Sequence, residues 1–577
     1  MENIEDALMI AYPSAENLRV EECRRLTGPG LWANRPGAVL EVHFSGFEPS
    51  QIDRLWQAQA RRVLDAIGWR DEQLTTRHFD GGVNLVLSAP MDQLYSAVFI
   101  AETAWHHCAS ALLGQPASDF AAMVRDLQPV MRREANPALI ALLTDAGAHQ
   151  IDALCDDDTL SLGYGTGSQS WPMDSLPTPE TVDWHRLHQI PVVLITGTNG
   201  KTTTTRLCAA IARAAGKVAG LTSTDMVQIG GEVLERGDFS GPGGARTLLR
   251  DPRLEIGILE VARGGILRRG LPLRHAQVAV VTNVAADHLG QYGVNTVAEL
   301  ATAKFAVQRA LVPGGLLVLN ADDPQVVAEA ANAPGPLCWF SLDPDAPQIR
   351  AARAAALPCA WLEGEVILAA GPTGTEAILK TAAIPITMGG AARYNIQNAL
   401  AAICVARALG FPTEAIRAAL AGFRSDPVDN PGRCNEFYAK GARLFVDFAH
   451  NPHSMAAVTS ALAAIPAKRR FVLLSHAGDR SDQDIRDLTT GAFALHPDFI
   501  VAAELPDYLR GRQPGAVTGL IVAASKPLGL PADHVLQAPS PAAGVRMILD
   551  RLQPGDLALL LVHSERDEIF RMLAGSE

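Results

Sequence analysis

Between a short apolar run, Val192-Val193-Leu194-Ile195, and a helical periodicity from about Thr202 to Ala215 lies Gly197-Thr198-Asn199-Gly200-Lys201-Thr202-Thr203-Thr204-Thr205. Glycines let backbone N–H groups converge on phosphate oxygens, and a helix N-terminus offers the positive end of its dipole. A lysine adds a point charge, and a Thr hydroxyl ligates Mg²⁺. These parts stand here in the required order. Gly197, Thr198, Asn199, Gly200, Lys201, Thr202 and Thr203 are therefore predicted to hold nucleotide phosphates, with Thr202 toward the metal. The general pattern has a glycine five positions before Gly200, where this chain has Ile195, so the loop is a shortened variant.

Such a loop works only when a strand and a helix fix its two ends, and the chain supplies both within a multidomain α/β protein. Its 577 residues are far more than the ~150 of an average domain. A 48% hydrophobic and 19% charged composition suits buried cores and excludes a disordered chain. Strand patterns at 38–44 and 83–87, with helical periodicity at 51–67 and 91–113, predict an N-terminal α+β domain over 1–162. The Gly- and Pro-rich stretch 163–187 is read as a linker. A central α/β domain is expected over 188–424, where Val192–Ile195, Ile256–Leu259, Val278–Val281 and Leu316–Leu319 read as parallel strands covered on both faces. A C-terminal Rossmann-like α/β domain follows over 425–577, with strands at Leu444–Val446, Phe471–Leu474, Phe499–Ala502 and Leu557–Leu561.

Lys and Arg total 49 against 62 Asp and Glu, a formal net charge of −13, which disfavours general nucleic-acid binding. The N-terminus lacks the basic flank and apolar block of a secretory signal, and no apolar run approaches the ~18 residues that span a bilayer. A cytoplasmic protein with no membrane partner is expected. The eight cysteines show no Cys-x-x-Cys pair, and free thiols are expected.

Further motifs carry a resemblance. Glu260-Val-Ala-Arg263-Gly-Gly-Ile266, Thr282-Asn283-Val-Ala-Ala-Asp287-His288-Leu289, Lys304, Asn395-Ile-Gln-Asn398, Pro431-Gly432-Arg433 and Asp447-Phe-Ala-His450-Asn451-Pro452 follow the phosphate loop in order. Together with Gly197–Thr202 they resemble the Mur ligase family, which joins an amine to a carboxylate using ATP. Gly478-Asp479-Arg480 and Leu509-Arg510-Gly511-Arg512 make the chain most similar to the ligase module of the cyanophycin synthetases. Leu26-Thr27-Gly28-Pro29-Gly30-Leu31-Trp32 looks like the opening of their N-terminal domain. The large ATP-grasp domain that sits between those parts has no counterpart here. The stretch aligned with a His-x-x-Glu-His metal site in some of those N-terminal domains reads Phe99-Ile100-Ala101-Glu102-Thr103, so no hydrolytic metal site is expected. His106 and His107, close by, are read as a structural pair.

The resemblance implies ATP and Mg²⁺ as cofactors, Lys201, Glu260, His288 and Lys304 as catalytic groups, and Thr202, Glu260 and His288 toward the metal. It makes Lys304 a candidate for carbamylation, with an ordinary exposed lysine as the competing reading. It also implies Asn398 as an adenine contact, Arg433 as a phosphate contact and Asp447 as a ribose contact, with closure over the nucleotide before chemistry. Arg263, Arg268, Arg510 and Arg512 are candidates for a carboxylate-bearing acceptor. Asp479, with Asp482 and Asp484 beside it, forms an acidic turn suited to a cationic amine, or else a solvated loop, and Arg480 is a further substrate candidate. His450 positions substrate or nucleotide, or is a structural turn residue. The partners implied are a small amine or amino acid, a carboxylate or peptide acceptor and a separately encoded ATP-grasp ligase; a homo-oligomer is compatible. The alternatives are a folylpolyglutamate or muramyl-peptide type ligase, which Ala262-Arg263-Gly-Gly-Ile266 and the N-terminal domain argue against, or an inactive nucleotide-binding regulatory or scaffold protein, against which the retained Lys201, Glu260 and His288 stand.

Overall fold

A computed structural model describes residues 4–575. It divides into two compact units. The first comprises 1–284, 288–339 and 404–411, and the second 285–287, 340–403 and 412–577.

The first unit opens with a four-stranded antiparallel sheet in the order Leu18–Leu26, Gly37–Phe44, Gly82–Ser88, Leu74–Phe79. The two central strands are almost wholly buried. Helices Pro49–Ile67 and Leu94–Leu113 cover one face, with Trp56 and Trp105 inside. The two strands and two helices expected from periodicity are present; the flanking strands Leu18–Leu26 and Leu74–Phe79 are additional. Residues 163–187, expected as a linker, hold the strand Gln169–Pro172, which pairs with Thr159–Leu162 and through it joins Ala153–Cys155. Tyr164 in this stretch is fully buried and bonds Asp152 through its hydroxyl. Gly165 has φ 57°, and a Cβ there would lie 2.3 Å from Leu254 O. Glycine at that point serves close packing as well as backbone freedom.

The rest of the first unit is a mostly parallel sheet. Val192–Thr196 lies between Ile256–Glu260 and Ala276–Val281; beyond these lie Ala219–Thr222 on one side and Leu311–Asn320 on the other. All five residues of Val192–Thr196 and all five of Ile256–Glu260 are buried, which is why their sequences run apolar without alternation. From the Val192 strand the chain builds to one side, returns, and continues on the other, so the strand order reverses there, the point at which open α/β sheets generally bind ligands beyond the strands' carboxyl ends. In register, Ile195 lies beside Glu260 and Val280, and Thr196 beside Val281. The helix Lys201–Ala214 therefore starts level with the ends of both neighbouring strands.

The second unit contains the antiparallel strands Cys359–Glu363, Val366–Gly371 and Gly374–Lys380, and a six-stranded sheet. Its order is Asn435–Ala439, Ala442–Asp447, Leu557–Leu561, Arg470–Ser475, Phe499–Ala503, Val535–Ala538, parallel except for the first pair. Val472 and Leu474 point into one core with Met455, Ile485 and Val517; Phe471 and Leu473 point into the other with Val545, Ile548 and Ile569. The two-residue period of the strand thus feeds helix layers on both faces. Among the described residues no helix is long and apolar enough to cross a membrane, and all eight cysteines are free.

Candidate active site

The phosphate loop is held by residues that follow the neighbouring strand. Thr198 N donates to Asn283 O (2.9 Å) and Asn199 N to Asn283 Oδ1 (2.9 Å). Thr282 Oγ1 (2.7 Å) and Asn283 Nδ2 (2.9 Å) donate back to Asn199 O. The approach is so close that a Cβ at Gly197 would lie 1.8 Å from Thr282 Oγ1. Gly200 takes φ 84° as the N-cap of Lys201–Ala214, the left-handed conformation glycine adopts without strain. Lys201 Nζ donates to Thr198 O at 3.0 Å, which folds the ammonium back over the loop.

At the foot of the loop Thr202 Oγ1 donates to Glu260 Oε2 at 2.9 Å, and Thr224 N approaches the same oxygen at 3.4 Å. Glu260 is 2% exposed. A hydroxyl and a buried carboxylate are hard oxygen donors, and Mg²⁺ binds through one or two carboxylates together with substrate phosphates and water. The pair therefore fits that cation. Among the described residues no three His, Cys, Asp or Glu side chains gather as a metal cluster. His288 is exposed, with φ 51°; the structure fixes it through its backbone, since Arg263 Nη1 donates to His288 O. Arg263 also donates to Gln291 Oε1 (2.6 Å), so it shapes the loop that carries His288. Arg268 is exposed beside Arg25 and Arg269, lining a cavity with Tyr95 and Phe99. Lys304 is 3% exposed in the last turn of Val297–Phe305, which removes the exposed-lysine reading.

In the N-terminal region, burial pushes the Glu102 carboxyl up to about 7. His106 has structural partners on both ring nitrogens: Nδ1 donates to Ala11 O (2.7 Å) and Nε2 accepts from Ser118 N (2.9 Å).

The second unit carries the remaining candidates. Asp447 ends its strand and accepts from Cys434 N (2.8 Å) and Ala449 N (2.7 Å). Burial pushes its carboxyl up, opposed by Arg433 and these two amides. Arg433 stands 5.0 Å over Phe448, and Asn398, 5% exposed, donates to Asn395 Oδ1 (3.1 Å). His450 Nδ1 donates to Phe448 O (3.0 Å), its Nε2 lies 3.8 Å from Asp287, and Arg480 donates to Asp287 (2.9 Å). Asp447, Arg433, His450, Arg480 and Asp287 thus form one neighbourhood.

The acidic turn is differently built from the expected cation site. Arg512 donates to Gly478 O (2.8 Å), Arg480 O (2.6 Å) and Asp482 Oδ1 (2.7 Å). Asp484 caps its helix in a reciprocal box with Ser481. Arg512, Asp482 and Asp484 are consequently committed to the turn, because helix capping and a guanidinium fork use the donors and acceptors that exposed charges were expected to offer. Asp479 stays exposed, and Arg510, also exposed, lies 5.4 Å over Tyr508.

Two residues at this edge went unnoticed in the sequence. His476 follows Arg470–Ser475 and His563 follows Leu557–Leu561, with ring centroids 6.2 Å apart. His563 Nε2 donates to Ala449 O (3.0 Å) and its Nδ1 lies 3.0 Å from Ser475 Oγ. Burial, then the neighbouring His450, bring the His563 imidazole down to about 4. Burial holds His476 well below its usual value too. No motif marks them; only the sheet order makes them neighbours.

A shortened Gly-Lys-Thr loop on a parallel sheet, a buried carboxylate on its threonine, and a Rossmann-like sheet in the second unit define an α/β protein built around a phosphate-type loop. Residues 195–406 match the Mur ligase middle domain, and residues 432–561 the family described as Mur ligase, glutamate ligase domain. The UDP-N-acetylmuramate–L-alanine ligase of Stenotrophomonas maltophilia is 30% identical over 64% of this chain and 71% of its own length. The chain belongs to the Mur ligase family. The cyanophycin synthetase of Trichormus variabilis is 41% identical over 58% of this chain and 37% of its own. That of Synechocystis sp. is 39% identical over 63% and 40%. The chain thus spans about two fifths of the length of these relatives. Among solved structures, E. coli FolC in complex with DHPP and ADP aligns with a TM-score of 0.49 at 18% identity, over 67% of this chain and 89% of that one.

Proposed function

We propose that the protein is an ATP-dependent amide ligase, which activates a carboxylate as an acyl phosphate and joins it to an amine, releasing ADP and phosphate. The observation that carries this reading is the Thr202–Glu260 hydrogen bond of 2.9 Å beneath the Lys201 loop. A carboxylate is a poor electrophile with a poor leaving group, so an amide forms in water only after activation. Phosphoryl transfer spreads negative charge over the transferring oxygens and asks the protein for positioned cations and N–H donors. Lys201 and the loop amides supply these, and Thr202, Glu260 and His288 are the residues that would hold Mg²⁺. When bound, that cation neutralises charge on the phosphates and the leaving oxygen. The substrate carboxylate oxygen attacks the γ-phosphorus as the bond to ADP breaks. The free amine then attacks the acyl carbon, phosphate leaves with the carboxylate's former oxygen, and the nitrogen loses a proton. Lys304, held buried, is assigned as the lysine whose neutral Nζ would add CO2 and lose a proton, giving a carbamate that would hold a second cation. Asn398, Arg433 and Asp447 keep the nucleotide contacts that the family resemblance gives them.

The amine is an amino acid and the acceptor a peptide or aspartate-like carboxylate, with His450, Asp479, Arg480 and Arg510 as the substrate-facing groups. A separately encoded ATP-grasp ligase is the proposed partner. Purified protein given ATP, Mg²⁺ and a matrix of amines and peptide carboxylates should yield a condensed product, detected by mass, with one phosphate per bond. Lys201→Ala should lower that rate by roughly 10²–10³, the usual loss for one transition-state donor. Full activity in that variant would dismiss the loop assignment. ATP binding without turnover for every pair would favour a regulatory protein.

A further inference from the structure

The loop that carries His288 is strained and held from outside. His288 (φ 51°) and Tyr292 (φ 57°) take left-handed backbone conformations, as do Gly290 (φ 83°) and Gly293 (φ 65°). For a histidine and a tyrosine such backbone is unfavourable and persists only where surrounding groups over-determine it. Arg263 holds one side, through His288 O and Gln291.

The other side is held by the N-terminal four-stranded sheet. Arg24, on the strand Leu18–Leu26, is 6% exposed and stands 4.9 Å over the Tyr292 ring. Its Nε donates to Leu267 O (3.1 Å) and its Nη1 to Glu22 (2.9 Å) and Glu41 (3.2 Å). Its Nη2 is buried and has no hydrogen-bond partner among the described residues. In such a place the face of an aromatic ring supplies the attraction that an acceptor would. Trp32 Nε1 donates to the same Leu267 carbonyl (3.1 Å), tying the helix that begins at Arg263 to the same sheet. Arg77 Nη1 donates to Gly293 O (3.1 Å), and Asn295 Nδ2 reaches Asp80 O (3.3 Å). Phe79 and Asn84 close on Gly293 so tightly that a Cβ there would lie 2.3 Å from the ring.

We propose that the N-terminal α+β region is a working part of the metal site. Arg24 and Arg77 are positioning residues that keep the loop 288–293 in its strained form and so set the affinity of the His288 position for a divalent cation. The inference rests on the reading of His288 as a Mg²⁺ ligand. It gives the N-terminal region a role independent of any substrate it binds, and it explains why the strained loop survives at an exposed site.

The test uses the full chain with Arg24→Met and, separately, Arg77→Met, and two readouts that need no turnover. Hydrogen exchange of amides 288–294 should quicken about tenfold or more in each variant, while exchange in the strand Val192–Thr196 stays unchanged. Mn²⁺ binding in the presence of ATP, followed by electron paramagnetic resonance, should weaken about tenfold, the lower end for groups that orient a metal ligand. ATP binding without metal should keep its affinity. Arg24→Met leaves Glu41 buried without its cation, so if that variant fails to fold, Arg77→Met, with a side chain 22% exposed, carries the test alone. Folded variants that match wild-type loop exchange or wild-type Mn²⁺ affinity would overturn the inference and leave the ligase reading standing. A wild-type protein that binds no Mn²⁺ with ATP would defeat both.

Discussion

The proposed function gives Thr202 two tasks, and substitution separates them. Its hydroxyl satisfies a carboxylate that is 2% exposed, and leaving such a group short of a donor costs about 1–3 kcal/mol. Thr202→Val keeps the shape and removes the donor. It should lower unfolding stability by about that amount in urea titration and cut ATP turnover by at least ~10²-fold; Thr202→Ser should restore most of both. A valine variant with wild-type turnover would mean that the hydroxyl serves Glu260 alone. Gly197→Ala is a harsher change, since its methyl would overlap Thr282 Oγ1. It should push the loop off Asn283 and weaken ATP binding about tenfold or more, readable by calorimetry, with less effect if Thr282→Ala is added. The strand-loop-helix unit that carries them was legible from the amino-acid string because it is contiguous, and the chemistry proposed for it resides in residue type. Lys304 was only half legible: a lysine on a short helix says nothing of burial until the packing is known.

The histidines of the second unit depend on how elements are ordered. Ala442–Asp447, Leu557–Leu561 and Arg470–Ser475 are adjacent strands, so His450, His563 and His476 meet at one sheet edge although long stretches of chain separate them. No spacing rule reveals that, and the same holds for Arg512, whose partners lie on a turn reached only by folding. A buried neutral imidazole has a pH signature. His563 is brought down to about 4 in the fold against ~6.5 in the unfolded chain. Between those values the unfolded state binds more protons, so stability is full above ~6.5 and falls as pH drops toward 4. The share owed to His563 between pH 7 and pH 5 is roughly 2 kcal/mol. His563→Gln, which cannot be protonated, should flatten that slope in urea titrations at the two values. An unchanged slope would mean that the imidazole is solvated in the fold. The strands, by contrast, were readable in advance, because both-face burial writes itself as uninterrupted Val, Ile and Leu.

For the molecule as a whole, the acidic balance and the α/β grammar were visible from composition and periodicity, and the parallel sheets followed. What they left out is that the N-terminal sheet packs into the phosphate-loop unit, through Gly28 and Gly30 against Gly270 and Leu271. Glycine pairs in close contact look like loose turns in a string of letters. The Gly-rich segment near Tyr164 misleads for the same reason. The central claim is that this chain makes an amide by way of an acyl phosphate, and oxygen bookkeeping tests it most directly. A carboxylate substrate labelled with ¹⁸O, incubated with the protein, ATP, Mg²⁺ and the amine, should deliver one labelled oxygen to each phosphate released, in step with product. Product formed with unlabelled phosphate would contradict the account.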